Sequence, residues 1–162
     1  MDLKTLHKIS YGLYVICSKD GEKINGQIAN ALFQVTSKPP TIAVSINKQN
    51  LTHEYIEKSK CFTVSILSED APLPFIGNFG FKSGRDIDKF KETGFKKIPA
   101  KIVKPPIIDG STVAYECKVE NKVETGDHTL YIGKVVAIHG SPEKPNHLYS
   151  IHYRSLIDLA FR

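Results

Sequence analysis

Only three cysteines occur in the 162 residues. Cys17, Cys61 and Cys117 stand too far apart for the close pairing that zinc or iron–sulfur ligation uses. Each lies in an apolar strand pattern, so the expectation is buried thiols and no metal site. No apolar run approaches the 18 residues of a membrane-spanning helix, which excludes a helical membrane span. The odd cysteine count and the lack of a secretory leader point to a reducing cytoplasm. A long basic run is missing too: the formal charge of +5 comes from scattered lysines, a balance that suits small anionic ligands or acidic proteins no less than nucleic acid. Nucleophile elbow, Walker phosphate loop, HExxH and a well-set carboxylate pair are all absent, which argues against a covalent hydrolase. No repeat, low-complexity tract or linker divides the chain. A single domain of this size buries about 68–70% of its unfolded surface, enough for a core without staples.

What the chain does have is alternation. Tyr11, Leu13, Val15 and Cys17 alternate with Gly12, Tyr14, Ile16 and Ser18, and Asp20-Gly21 then turns the chain into a hairpin. A strand follows with Asn25, Gln27, Ala29 and Ala31 on one face and Ile24, Ile28 and Leu32 on the other. After the Pro39-Pro40 corner, Ile42, Val44 and Ile46 mark another half-buried strand, and a short helix is expected over residues 51–59. Phe62, Val64 and Ile66 repeat as a core-facing set. Pro72 starts a short helix that Gly77 and Gly80 weaken, and residues 82–97 read as a polar surface loop with one helical turn. Val113, Tyr115, Cys117 and Val119 face the core, with Ala114, Glu116, Lys118 and Glu120 on the wet side. Gly126-Asp127 turns into a last strand whose buried side is read as Leu130, Ile132, Val136 and Ile138. Residues 142–162 read as turns and then a loosely helical apolar tail. Six or seven strands with few helices predict a mainly β, Greek-key-type barrel whose ends are filled by short helices.

Two stretches carry chemistry. The Asn25/Gln27/Ala29/Ala31 face combines amides with methyls: small residues let a ring approach the backbone, while amides offer donors and acceptors to its polar edge. An ordinary exposed strand face is the competing explanation. At the helix start, Asn50 or Thr52 can cap, and the free backbone N–H groups gather just after Lys48, a seat suited to a phosphate. Ser83, the Gly84 backbone and Arg85 offer an anion or a carbonyl edge further contacts. On strand-borne Tyr14 and Phe33 plus positive charge alone, a small basic barrel binding single-stranded nucleic acid is the alternative.

The run NGQIANALFQVTSKPPTIAVSINKQNLTHEYI, with SGRDIDKF at residues 83–90 and GDHTLYIGKV at residues 126–135, resembles the flavin reductase-like family of FMN-binding split barrels. The resemblance covers residues 6–138, and it is the order and spacing of three motifs that is specific. It implies a split β-barrel and an FMN cofactor. Asn25, Gln27, Ala29, Asn30 and Ala31 would line the flavin ring, and Lys48, Asn50 and Thr52 would hold the phosphate. Ser83 and Arg85 would approach from the later loop. His128 of the GDH motif would orient a nicotinamide or exchange a proton, and Tyr153 and Arg154 match the family pattern only loosely. His147 and His152 have no acidic company that completes a metal site. The implied partners are NAD(P)H or a redox-protein donor, a flavin, ferric or redox-protein acceptor, and a second copy in a homodimer, with neither nucleic acid nor membrane. The GDH motif points away from the pyridoxine phosphate oxidase-like branch of split barrels.

Overall fold

The computed structural model describes residues 8–92, 94 and 96–140. The helical reading of the tail, together with His147, His152, Tyr153 and Arg154, lies outside the described residues.

The chain builds β1 (Tyr14–Asp20), β2 (Lys23–Ala29), β3 (Leu32–Ser37), β4 (Pro40–Asn47), α1 (Leu51–Ser59) and β5 (Cys61–Ile66), then α2 (Leu73–Phe81) and α3 (Lys89–Glu92). Two short strands, β6 (Lys97–Ile98) and β7 (Ile107–Ile108), precede the long β8 (Val113–Thr125) and β9 (His128–Gly140). Seven strands form one antiparallel sheet in the order β2-β1-β5-β8-β9-β4-β3. The two edge strands, β2 and β3, are joined by just Asn30 and Ala31. Six inter-strand spacings would separate flat edges by about 29 Å, whereas that link reaches about 11 Å at most. The sheet must therefore roll up, and the barrel expected from the pattern follows from this one short connection. Here the structure corrects the sequence reading, which ran a single strand through Ala31. Leu32 N–H turns back to Asn30 O at 3.0 Å, and Ala31 O accepts Ser45 N–H at 2.9 Å.

Inside the roll, Ile16, Ile42, Val44, Ile46, Phe62, Val64 and Tyr131 pack with Ile56 of α1, which plugs one end. A second core, Leu13, Val15 and Cys17 with Phe75, Ile76 and Phe79, lies between β1 and α2. The glycines of α2 do not prevent a helix, because three apolar side chains on one face are buried there. The thiols of Cys17, Cys61 and Cys117 are free and buried, and burial pushes Cys17 and Cys117 up to about 12.

The last hairpin departs from the alternation reading. Thr129, Tyr131 and Gly133 form the buried face of β9, and Ile138 is 61% exposed. Gly133 faces inward because the Phe62 ring occupies the space a side chain would need: a Cβ there would lie 2.7 Å from the ring. Glu116, expected on the wet face of β8, is fully buried. Its wall of the barrel is covered by residues 99–106 and β7, where Pro106 O accepts the Thr63 hydroxyl at 2.5 Å and Ser65 Oγ accepts Ile108 N–H at 3.0 Å. This second layer buries both faces of β5.

Candidate functional site

Edge strand β2, the N-terminus of α1 and the segment leaving α2 converge on a cleft of about 200 Å³. It is lined by Asn25 and Gln27 from β2, by Gln49, Asn50, Leu51 and Thr52 at the helix start, and by residues 79–84 with Lys89. A neighbouring hollow of about 640 Å³ shares Leu51 and Gly84 with it, so the two form one extended depression.

Its polar groups are set by packing. Asn25 is 4% exposed, and its Nδ2 donates to Thr52 Oγ1 at 2.8 Å, which ties β2 to the first turn of α1. Gln27 Oε1 is buried and has no hydrogen-bond partner among the described residues. A buried acceptor left unpaired costs about 1–3 kcal/mol, so a ligand donor here would recover that energy. Asn50 occupies the N-cap position with extended backbone, yet its side chain makes no cap bond. The first N–H groups of α1 therefore keep their capacity for an anion, as does the Asn50 amide. Gly84 passes so close to Asn25 that a Cβ on it would sit 2.0 Å from Asn25 Oδ1. Beyond it, Ser83 Oγ accepts Arg85 N–H at 3.1 Å and fixes the turn.

The cleft thus brings together Asn25, Gln27, Asn50, Thr52 and Ser83 of the residues singled out in the sequence. The others stand elsewhere. Ala29 packs in the barrel core, and Asn30 and Ala31 form the link between the sheet edges. The Lys48 ammonium pairs with Glu124 at 2.8 Å and donates to Gly126 O at 2.9 Å. Arg85 forks around the Glu54 carboxylate and reaches Gln49 O at 3.4 Å, and the Arg85 hydrogen bond holds Glu54 below its usual range. Either cation would have to leave a carboxylate to meet a phosphate. His128 sits at the tip of the β8–β9 hairpin, across the ladder from Asn47, with Nδ1 2.7 Å from Asp127 Oδ1. Tyr153 lies outside the described residues.

Lys89 was not singled out in the sequence. It is 4% exposed, and its Nζ donates to Gly26 O at 3.0 Å and Phe79 O at 3.3 Å. A lysine between Ile87, Asp88 and Phe90 in a polar run looks solvated, and only the apolar flanks hinted otherwise.

Comparison with known proteins supplies the context for this geometry. The family model described as "Flavin reductase like domain" matches residues 6–156. The chain is 48% identical over 147 residues to the high molecular weight rubredoxin of Moorella thermoacetica, covering 88% of this chain and 63% of that protein. It is 40% identical over 136 residues to the ferric-chelate reductase (NAD(P)H) of Archaeoglobus fulgidus, covering 84% and 79% of the two chains. Among solved structures, flavoredoxin of Desulfovibrio vulgaris (Miyazaki F) superposes with a TM-score of 0.74 at 28% identity, over 82% of this chain and 71% of that one. The nucleic-acid-binding alternative finds no support in these matches. Nearly the whole chain is matched and the fold superposes, so it belongs to the flavin reductase-like family.

Proposed function

We propose that the chain binds FMN in the β2–α1 cleft and passes reducing equivalents from NAD(P)H or a redox-protein donor to a flavin, ferric or redox-protein acceptor. The observation that carries this reading is the meeting, in one cleft, of a buried amide oxygen on Gln27, unpaired among the described residues, with a helix start at Asn50 that has no side-chain cap bond. The first matches the ring imide N–H of a flavin and the second its phosphate. The names of the two relatives, a rubredoxin and a ferric-chelate reductase, favour single-electron acceptors. The chain spans 63% of the length of the first of these.

Bound flavin supplies a two-electron acceptor, and the protein's part is placement and electrostatics. Asn25 and Gln27 hold the polar edge, with Asn25 itself fixed by Thr52. Asn50, the N–H groups of Leu51 and Thr52, and the Ser83 hydroxyl take the phosphate. His128 is assigned to the donor side, where its imidazole can orient a nicotinamide. Titration followed by flavin absorbance and fluorescence tests the reading. FMN should bind at least about tenfold more tightly than riboflavin, since charge-assisted bonds to the phosphate are the strong ones. Asn50→Ala and Ser83→Ala should narrow that ratio, and His128→Gln should leave it alone. A protein that changes neither signal of FMN would overturn the reading.

A homodimer belongs to the same proposal. Edge strand β3 exposes Phe33 at 54% and Val35 at 43%, and Ile138 at 61% borders the same apolar groove of about 420 Å³. An unpaired edge with exposed apolar side chains favours association. Sedimentation equilibrium at micromolar concentration should give twice the 18.1 kDa chain mass, and Phe33→Glu should return it to the monomer. No described helix is long and apolar enough to cross a membrane. A reducing cytoplasm is the compartment this proposal implies, given three free buried thiols.

A further inference from the structure

Lys89 takes no part in the contacts assigned above, yet it lines the same cleft. Its ammonium is seated between the carbonyls of Gly26 and Phe79, 5.8 Å from the centre of the Phe79 ring. Gly26 lies between Asn25 and Gln27 on β2, so the charge sits against the backbone that carries both cleft amides. At 4% exposure it is little screened by water. We propose that Lys89 is an electrostatic positioning residue, whose ammonium stabilises the negative charge that a bound flavin acquires on reduction and so raises the flavin's potential.

The inference rests on the FMN reading. Hydride from a reduced nicotinamide carries two electrons and one proton. It leaves the nicotinamide with one positive charge and the flavin ring with one negative charge, until a further proton arrives. A cation fixed in the cleft wall before reduction favours that product without reorganising.

The same burial puts the charge within experimental reach. Desolvation pulls the Lys89 ammonium down to about 8, against a small opposing effect from Cys17. Among the described residues few other titratable groups surround it. On β1 the Cys17 thiol is pushed up to about 12 by burial and stays neutral across this range. Residues 24–29 of β2 and the whole of α2 contain none. At the flanks Lys82 pairs with Glu92 at 3.6 Å, Asp88 pairs with Lys91 at 3.6 Å, and Lys97 lies over the Phe90 ring.

The test is the reduction potential of the FMN-loaded protein, measured by dye equilibration from pH 6 to 10 and referred to free FMN in the same buffers. In the wild type the preference for reduced over oxidised flavin should fall by about tenfold through a break near pH 8, about 30 mV for a two-electron couple. Lys89→Arg, whose charge does not titrate here, should keep the low-pH potential with no break. Lys89→Met should show the lower potential throughout. A purely structural lysine would change stability and leave the potential profile unaltered. A wild-type profile without a break between pH 7 and 9, or a break that persists in Lys89→Arg, overturns the inference. The wild-type profile decides the matter if Lys89→Met does not fold. Failure of FMN to bind at all would instead remove the cofactor reading, and this inference with it.

Discussion

Glu116→Ala is expected to lower the unfolding free energy by about 3–5 kcal/mol, the range for stripping the partner from a buried charged network. Its carboxylate accepts the N–H groups of Lys101, Ile102 and Val103 at 2.6, 2.7 and 2.8 Å, and His139 Nε2 lies 2.5 Å from Oε1. One side chain on β8 thus pins the segment that covers the outer face of β5. In a chain of this length, 1 kcal/mol moves the melting temperature by about 2–4 °C, so calorimetry should register a fall of about 6–20 °C. A fall under 3 °C would mean that water replaces the carboxylate at little cost.

The same residue makes part of the stability depend on acid pH. Burial alone would raise its pKa, but the N–H groups of Val103, Lys101 and Ile102 with the His139 ring outweigh it and hold the carboxyl at about 2, from an ordinary 4.5. Below pH 4.5 the unfolded chain binds a proton that the folded chain refuses. The contribution, on the order of 3 kcal/mol, is therefore complete above pH 4.5 and is lost as pH falls toward 2. Glu57 and Glu124 are also held at about 2 and titrate in that window. The difference between wild type and Glu116→Gln isolates the Glu116 share, and it should shrink with acidification.

Local signals in the sequence carried the turns and the helix well. Asp20-Gly21 and Gly126-Asp127 mark hairpins in which both glycines take positive φ, 56° and 51°, and α1 spans the residues its capping pattern predicts. What alternation could not convey is which face the fold would choose. Leu130, Ile132, Val136 and Ile138 outrank Thr129, Tyr131 and Gly133 in hydrophobicity, but Tyr131 finds Glu57 for its hydroxyl at 2.8 Å and Phe62 fills the space over Gly133. Glu116 and Lys89 looked solvated because their backbone partners come from segments 10 to 63 residues distant. The cleft was legible to the same degree. Its β2 amides and helix start lie within one stretch, whereas the wall of residues 79–84 with Lys89 exists only through tertiary packing.

That wall is where a small change should have the largest effect on the cofactor. Gly84→Ala would place a Cβ 2.0 Å from Asn25 Oδ1 and 2.7 Å from its Cγ, closer than any real contact. Asn25 cannot swing away freely, because it is buried and its Nδ2 is bonded to Thr52. Either the loop lifts off β2 or the Asn25–Thr52 bond breaks, and both open the cleft. FMN affinity should drop by about 100-fold, equivalent to about 2.7 kcal/mol, a cost typical of overpacking. Thermal stability should change far less, since the loop can move into solvent. Asn25→Ala weakens FMN by itself, but it also removes the atoms the new methyl would strike. In that background Gly84→Ala should therefore cost less than a further fivefold, giving a coupling of well over 0.5 kcal/mol between the two positions. Equal losses in both backgrounds would mean that the glycine serves the ligand directly and not through Asn25. Unequal losses would establish the loop and the edge strand as one jaw, closed by contact between a glycine and an amide.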